Sequence, residues 1–294
     1  MASLQQIKTK ISSVKGTGRI MSAMKLISAV KLRRSQDLLM AYRPYSEAYK
    51  DTALNIAKRC DSTQHPLLRN SPEKTKLHIV FMTSDRGLCG SFNSNLIRKL
   101  ETYIVTEAKS YGEITFSFIG RRGRDHFTKG DVKVAESHIG VNERNYGEIA
   151  EQVAERITKE YVKGESDEVI LVYNYFKSAL TQILTYETIL PIQPQTEDEE
   201  GETLIDYIYE PKRKTVLGKV LPEYIKVRIQ NAIQESLTSE HASRMTAMEN
   251  ATSNAKDVIN KLTLLYNKTR QAMITTELMD IVNGTEALRK GGEG

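Results

Sequence analysis

The segment Ser84–Gly90 (SDRGLCG) is the part of the sequence whose residue types come closest to a chemical site. It follows an apolar, strand-like run and precedes a helix-like stretch, which is where doubly wound folds place a phosphate-binding turn. Its glycines are spaced G-x-x-G rather than G-x-G-x-x-G, and no acidic residue follows the next apolar run near Ile119. Nucleotide binding is therefore disfavoured, and a tight structural turn that exposes Arg86 is the preferred interpretation.

The common short signatures of catalysis and metal binding are absent from the sequence. It contains no G-x-x-x-x-G-K-[ST], H-E-x-x-H, C-x-x-C or G-x-S-x-G motif. Two cysteines, Cys60 and Cys89, cannot form a disulfide framework or a four-ligand zinc site. Cys89 is either an inert thiol, which we favour, or a reactive one activated by Arg86. The five histidines are scattered and are interpreted as ordinary surface or strand residues. We expect no catalytic residue, metal or cofactor.

The composition indicates a globular protein with one strongly basic end. Of 294 residues, 27% are charged, and no run of 18 apolar residues occurs, which excludes a membrane-spanning helix. The net charge of +5 is mild, but residues 1–36 carry eight Lys and Arg residues and no acid. Such a segment predicts an acidic partner: nucleic acid, anionic lipid or an acidic protein surface. An organelle-targeting peptide is disfavoured because a helical pattern runs through the segment without a break.

Both ends of the chain are predicted to be long helices. All seven prolines lie between Pro44 and Pro222, which leaves each end without a helix breaker. We predict helices over 3–58 and 223–283, the second ended by Asn283-Gly284. At about 1.5 Å per residue each would span roughly 80–90 Å, and the matched lengths predict one antiparallel pair.

A heptad pattern marks the face on which these helices pack. In the C-terminal segment the spacing alternates between three and four residues, as in a coiled coil: Met245, Met248, Thr252, Ala255, Ile259, Leu262, Tyr266, Thr269 and Met273. The N-terminal segment begins Leu4, Ile7, Ile11, Val14 and then slips to Ile20, Met24 and Ile27. Several seam residues are small, and Gly16 and Gly18 lie in the first helix. Two interpretations stay open: an irregular coiled coil, or close helix approach inside a ring of other subunits.

The middle of the chain alternates strands and helices. Four strands are predicted, at 77–82, 114–119, 169–176 and 182–190, with helices at 92–109 and 143–162. This order implies a small, mostly parallel sheet covered by helices. Arg121–Arg124 (RRGR) is assigned to a loop, and Gln195–Glu202 to an acidic turn or flexible loop.

The predicted fold class is therefore α/β: a long antiparallel coiled coil formed by the N- and C-terminal helices plus a small Rossmann-like α/β domain. The predicted segments are 1–58, 74–205 and 212–288, in that order along the chain. Near the C-terminus, polar donors flank the seam at Asn267, Arg270, Gln271 and Thr275. The guanidinium of arginine suits carboxylate or carbonyl acceptors, but a solvated helix face explains the spacing equally simply.

Three blocks of sequence, at 7–36, 84–90 and 245–281, are together very specific, above all the stretch YNKTRQAMITTELMDI at 266–281. Through them the chain resembles the γ-subunit family of rotary ATP synthases over essentially its whole length. The resemblance implies that the terminal helices form an asymmetric shaft inside an α3β3 hexamer. It also implies that the α/β domain, with the ε subunit, contacts the membrane c-ring.

The resemblance further implies which residues meet these partners. Five positions match family contacts with the β subunits: Met24, Arg86, Arg270, Gln271 and Thr275. Of these, the last three match residues that hydrogen-bond a β loop near the top of the shaft. Met24 and Arg86 match positions at the acidic lever of β. Tyr209 and Glu210 match a segment at the c-ring foot.

The function implied by the resemblance is a non-catalytic rotor that couples ion flow through the ring to ATP synthesis on β. The family block starts within a few residues of Met1, which implies no transit peptide. We therefore expect a bacterial peripheral protein on the cytoplasmic side of the inner membrane, attached only through the ring. Gly16 and Gly18 depart from the polar residues expected in the family, and Ser91-Phe92 from a common Gly-Leu pair. Two alternatives are a nucleotide-binding α/β protein and a basic coiled-coil nucleic-acid-binding protein, although the resemblance implies no nucleic-acid partner.

Overall fold

The computed structural model describes residues 3–291, except residues 62, 70, 72, 194–208 and 211. The predicted acidic loop Gln195–Glu202 lies outside the described residues. The chain divides into two compact units. One contains the residues up to Ile27 together with those from Ala247 onward, and the other is Ser28–Thr246.

The unit Ser28–Thr246 is built on a five-stranded sheet of order β3-β2-β1-β4-β5. The strands are β1 (Lys76–Met82), β2 (Glu113–Ile119), β3 (Lys133–His138), β4 (Glu168–Phe176) and β5 (Gln182–Leu190). The first four are parallel, and β5 pairs antiparallel with β4. The helices of the chain are α1 (Leu4–Lys58), α2 (Phe92–Thr106), α3 (Arg121–Phe127), α4 (Tyr146–Lys163) and α5 (Arg213–Gly291). Short 3-10 turns at Pro66–Leu68 and Ala108–Ser110 complete the order.

Both faces of this sheet are buried, which accounts for the nearly continuous apolar runs of β1 and β4. On one face Ile79 and Phe81 of β1 pack with side chains of α2 and α3. On the other face Val80 and Met82 pack with side chains of α4, α1 and α5. The α/β fold with long terminal helices is thus confirmed, and the four predicted strands are present with bounds shifted by a residue or less.

Two elements of the sheet domain were not predicted. The assignment of Arg121–Arg124 to a loop is wrong, because these residues begin α3. The sequence shows no helical pattern here because the helix has only seven residues, three of them arginines, and only Gly123 and Phe127 are buried. Gly120 starts it with a φ of +101°, and a Cβ there would lie 2.0 Å from the Thr83 carbonyl oxygen. Strand β3 was missed because it is an edge strand without a buried apolar alternation.

In the unit formed by the two chain ends, α1 and α5 run antiparallel. Lys25 Nζ lies 2.5 Å from Glu249 Oε1, and a Cβ on Gly18 would lie 3.6 Å from the Ala255 Cβ. The residue nearer the N-terminus of α1 thus contacts the residue nearer the C-terminus of α5, as expected for an antiparallel pair. Along α5 the predicted seam is the less exposed face from Met248 to Thr269, so the heptad pattern is confirmed over that stretch. Met273 is exposed.

The predicted slip in the α1 seam is wrong. Ile20 and Ile27 are 63% and 59% exposed, so they do not lie on the packed face. The seam instead keeps its three–four spacing from Val14 through Gly18, Met21 and Lys25, all of them half-buried. A search for apolar residues missed it because a glycine and a lysine occupy seam positions. Gly18 admits the Ala255 methyl, and Lys25 pairs with Glu249.

The two long helices do not match in length. α1 has 55 residues and α5 has 79, because α5 begins before Pro222 and continues past Asn283-Gly284. Both predicted ends of the second helix are therefore wrong. Around Pro222 the buried side chains of Leu217, Leu221 and Ile225 hold the helix in the core, which offsets the lost hydrogen bond. A single glycine costs a helix only about 1 kcal/mol, too little to end one by itself.

Gly18 and Gly16 supply a matched pair for testing this helix packing. Gly18→Leu should lower the thermal unfolding midpoint of the helix pair, because a leucine side chain cannot fit against Ala255 without separating the helices. Gly16→Leu should raise it, because Gly16 has open space around it and leucine is the better helix former by up to about 1 kcal/mol. Circular dichroism melting would measure both. Equal shifts of the same sign would contradict this packing.

A hydrogen bond between a buried histidine and a half-buried carboxylate joins the loop before α4 to α5. His241 Nε2 lies 3.1 Å from Glu143 Oε1, and this hydrogen bond lowers the pKa of Glu143 from 4.5 to about 2. His241 therefore departs from the expected surface or strand histidine, since it is buried on a helix. The charged carboxylate is favoured in the fold, so its contribution to stability is complete above about pH 4.5 and is lost as the pH falls toward 2. We expect the melting temperature to fall over that window less steeply in Glu143→Gln than in the unmodified chain. Identical pH profiles would contradict the assignment.

None of the helices in the described part of the chain combines the length and the apolarity needed to cross a bilayer.

Candidate partner-binding surfaces

The C-terminal part of α5 is exposed on every face and carries apolar side chains on several of its sides. From Arg270 to Thr285 all side chains are exposed. They include six large apolar ones with exposures between 45% and 63%: Met273, Ile274, Leu278, Met279, Ile281 and Val282. Consecutive members of this set are one, four, one, two and one residues apart, which distributes them around more than half of the helix circumference. A contiguous apolar surface of this kind marks a contact with other macromolecules.

Three of the residues singled out by the resemblance lie in this exposed stretch. Gln271 and Thr275 are four residues apart and share one face, while Arg270 points about a third of a turn away. The Thr275 hydroxyl donates to the Gln271 carbonyl oxygen at 3.0 Å. Among the described residues, no hydrogen bond or ion pair engages the side chain of Arg270 or Gln271. Their donors are therefore exposed and not used within the described part of the chain.

Met24 lies on the same unit but at a different height. It is half-buried on α1, next to the Lys25–Glu249 pair. About twenty residues of α5 separate Glu249 from Arg270, which is roughly 30 Å of helix. The structure therefore does not bring Met24 and the Arg270 group into one site. They lie at two separate levels of this unit.

Arg86 lies on the other unit, in the tight turn that the sequence predicts. Its side chain is exposed, while its carbonyl oxygen accepts from Ser84 Oγ at 2.7 Å and from Arg244 Nη2 at 3.2 Å. Leu88 has a φ of +64°, which is uncommon for a residue with a side chain, and Cys89 is buried. Side chains of neighbouring residues thus hold the turn through its backbone carbonyl, and the Arg86 side chain is left exposed.

Asp85 already fills the anion-binding position of this turn. Its Oδ1 accepts from the backbone N–H of Arg121 at 2.9 Å, and its Oδ2 accepts from that of Gly140 at 2.7 Å. A helix N-terminus and a glycine N–H of this kind are the donors that a phosphate would use. The cavity lined by Asp85, Ile233 and Glu240 at this edge measures about 20 Å³. Ligand pockets are about 300–1,000 Å³, so neither space nor charge suits a nucleotide there.

Tyr209 and Glu210 lie just before α5 begins. Tyr209 is half-buried at the margin of the main core, with the Arg213 guanidinium 4.6 Å from its ring centre. Glu210 is exposed, and the proline that follows lies outside the described residues. From Arg213 to Arg244, which reaches the Arg86 carbonyl, α5 covers roughly 45 Å. Tyr209 and Arg86 therefore lie far apart on this unit.

The structure adds residues that the sequence reasoning did not single out. Asp85 anchors two loops, and Arg244 fixes the Arg86 turn from α5. Asp85 carried a signal, because it lies directly after a buried strand within SDRGLCG. Arg244 carried none, since its contact is 158 positions away in the sequence. In the part of the chain that the structure describes, no group of three or more His, Cys, Asp or Glu side chains is placed to hold a metal ion.

Comparison with known proteins defines the class. Two solved structures of Euglena gracilis mitochondrial ATP synthase contain similar chains. One, from the OSCP/F1/c-ring assembly, aligns with a TM-score of 0.68 and 22% identity over 99% of this chain and 96% of that one. The other, from the rotor, aligns with a TM-score of 0.65 and 22% identity over 92% and 98%. The fold is thus that of the ATP synthase central stalk.

Sequence relatives identify the family within that class. The ATP synthase family model matches residues 3–288. The ATP synthase gamma chain of Bdellovibrio bacteriovorus is 42% identical over 295 residues, covering 98% of this chain and 100% of the relative. That of Chlorobium phaeobacteroides is 41% identical over 294 residues, covering 98% and 99%. This chain belongs to the ATP synthase γ-chain family, as the resemblance of its three sequence blocks predicted.

Proposed function

We propose that this chain is the rotor of an ATP synthase, transmitting rotation of the c-ring to the catalytic β subunits. The observation that carries the proposal is the C-terminal part of α5, which is exposed on every face and carries large apolar side chains on several of its sides. A single helix of that kind is not stable in water by itself and needs surrounding protein. A sleeve formed by an α3β3 hexamer would cover it on all sides.

The polar side chains of α5 give such a rotor its means of control. Identical β subunits adopt different states only if the shaft contacts them unequally, and a shift from 1:99 to 99:1 needs about 5.5 kcal/mol. Hydrogen bonds to charged groups contribute about 1.5–3 kcal/mol each. Two or three bonds from Arg270, Gln271 and Thr275 to one β subunit at a time therefore reach the required scale.

The basic N-terminal part of α1 fits acidic segments of the same partners. Lys8, Lys10, Lys15 and Arg19 are all exposed, and no acid occurs in this part of the chain. Complementary charge favours orientation and fast association more than affinity. We assign Met24, on one unit, and Arg86, on the other, to contacts with the acidic lever of β.

A different part of the rotor is assigned to the c-ring and the ε subunit. Tyr209 and Glu210 are the contact with the c-ring and the ε subunit, and the chain associates with the membrane only through that ring, on the cytoplasmic side of a bacterial inner membrane. Segments 1–58 and 212–288 act as the coiled coil and 74–205 as the foot. The chain supplies no catalytic group of its own, because ATP is made and hydrolysed on β.

Co-purification tests the proposed function directly. An affinity-tagged chain expressed in its own cells should recover α, β, ε and c subunits from detergent-solubilised membranes. A tagged version ending at Tyr266, which lacks the exposed apolar stretch, is the matched control and should recover much less α and β. Recovery of the full chain without β would contradict the proposal. Micromolar ATP binding by the chain alone would favour the nucleotide-binding alternative, and a steeply salt-dependent complex with duplex DNA the nucleic-acid-binding one.

A further inference from the structure

One polar face of α5 is bonded to the hairpin formed by β4 and β5. Glu235, Ser239 and Ser243 follow one another at intervals of four residues and so share this face. Glu235 Oε2 accepts from the Phe176 N–H at 2.8 Å, and Ser239 Oγ donates to the Asn174 carbonyl oxygen at 3.1 Å. Ser243 Oγ donates to the side-chain oxygen of Gln182 at 3.0 Å.

Helix α1 joins the same point through Arg43. Its Nε and Nη2 donate to Glu235 at 2.7–3.0 Å, and Nη2 also donates to the Phe176 carbonyl oxygen at 3.0 Å. The guanidinium lies 4.8 Å from the Tyr175 ring centre. The Glu235 side chain is 0% exposed. Both backbone groups at the end of β4 are therefore held by one buried pair, with one partner from each long helix.

A second arginine, Arg228, is buried and ties the helices to β5. Arg228 Nε donates to Glu187 Oε1 at 2.6 Å, and its Nη1 donates to Glu47 Oε1 of α1 at 3.0 Å. The hydroxyl of Tyr173 on β4 donates to Glu187 Oε2 at 2.8 Å. We call Arg43, Arg228, Glu235, Ser239 and Ser243 the hairpin joint.

The hairpin joint opposes rotation of the long helices relative to the sheet through bonds that depend on direction. Hydrophobic burial is itself non-directional, whereas a hydrogen bond fixes the angle between its donor and acceptor. Hydrogen bonds lose most of their strength once the donor–acceptor angle falls below about 120°. Buried ion pairs add little net stability compared with apolar residues of similar size, so their presence is better explained by the position they impose.

We propose that the hairpin joint is the point at which torque passes between the sheet domain and the two long helices. The proposal rests on the proposed rotor function and names the residues that make the rotor stiff. These act as positioning residues, since none of them touches a reacting group.

The test measures the torsional stiffness of the rotor in the assembled complex. The α3β3 ring is fixed to glass in one nucleotide state, and a bead is attached to the sheet domain through Lys129→Cys, an exposed position. Thermal fluctuation of the bead angle then reports the stiffness. The double variant Ser239→Ala/Ser243→Ala, and separately Glu235→Gln, should increase the angular variance about twofold or more by removing bonds to the hairpin.

Thr238→Val is the matched control. Thr238 is buried on the same helix, but its hydroxyl donates to the Gln234 carbonyl oxygen of that helix and not to the hairpin. Like the serine variants it removes a buried hydroxyl, but because that hydroxyl does not contact the hairpin, the angular variance should stay unchanged. Wild-type variance in both hairpin variants, or an equal increase in Thr238→Val, would overturn the hairpin joint while leaving the rotor function intact. If Glu235→Gln does not assemble, the serine variant still decides. A wild-type chain that never enters the complex would refute the rotor function itself.

Discussion

Replacing Arg270 and Gln271 together by alanine should lower the rate of ion-driven ATP synthesis at least about tenfold. A tenfold change corresponds to about 1.4 kcal/mol of lost interaction with the β subunit. Two hydrogen bonds from exposed donors to charged groups would contribute more than that. Both side chains are exposed, and neither bonds another residue in the described ranges, so the loss falls on partner contacts rather than on the fold. The measurement is the rate of ATP synthesis in membrane vesicles energised to a fixed ion gradient.

Lys268→Ala is the control for this loss. It removes an exposed cation that lies about half a turn around α5 from Arg270, and so it tests whether loss of any positive charge in this stretch lowers the rate; the rate should change little. Nucleotide affinity of the isolated β subunit should stay the same, because that measurement contains none of this chain. Normal synthesis in the Arg270/Gln271 variant would show that these side chains do not contact β.

Arg43→Met should lower the free energy of unfolding by about 3–5 kcal/mol, the usual loss when one partner of a buried ion pair is removed. Glu235 would be left as a fully buried carboxylate without its cation. Burial already raises the pKa of Glu235, and loss of Arg43 should raise that pKa further. Since protonation relieves the buried charge, the destabilisation should be largest at neutral pH and smaller as the pH falls toward 4.5.

Urea unfolding followed by circular dichroism at several pH values measures this change. Lys159→Met is the matched control, because Lys159 pairs with Glu155 at 3.1 Å on the exposed surface of α4 and its loss should matter little. An Arg43→Met effect no larger than that of Lys159→Met would show that the buried pair does not hold the helices to the sheet. A loss independent of pH would indicate that packing, and not the charge of Glu235, is responsible.

Local regularities account for what could be predicted of the fold. The two long helices followed from the absence of breakers, and β1 and β4 from runs of apolar residues that only a sheet buried on both faces explains. The α5 seam followed from its spacing alone. Edge strand β3 and the short helix α3 failed because neither carries enough buried residues to show a period.

The candidate partner contacts came from the resemblance and not from the residues themselves. Spacing left Arg270 and Gln271 indistinguishable from a solvated helix face, and only their place on a helix exposed on all sides supports a partner there. Arg86 was expected to be exposed, and it is. Asp85, which fills the donors around that turn, could be understood only once the ends of three strands were brought together.

By itself the sequence determined the long terminal helices, the buried strands and the C-terminal seam, because each is encoded in residues close together along the chain. Tertiary structure alone decided that the α1 seam passes through Gly18 and Lys25, and that Arg43 and Glu235, 192 positions apart, clasp the end of β4. The physical reason is that a glycine or a charged residue is costly in a packed interface unless a particular partner compensates for it. A charge needs an opposite charge, and a glycine needs a neighbour that fills the space it leaves. That partner lies on a distant segment, which no local period records.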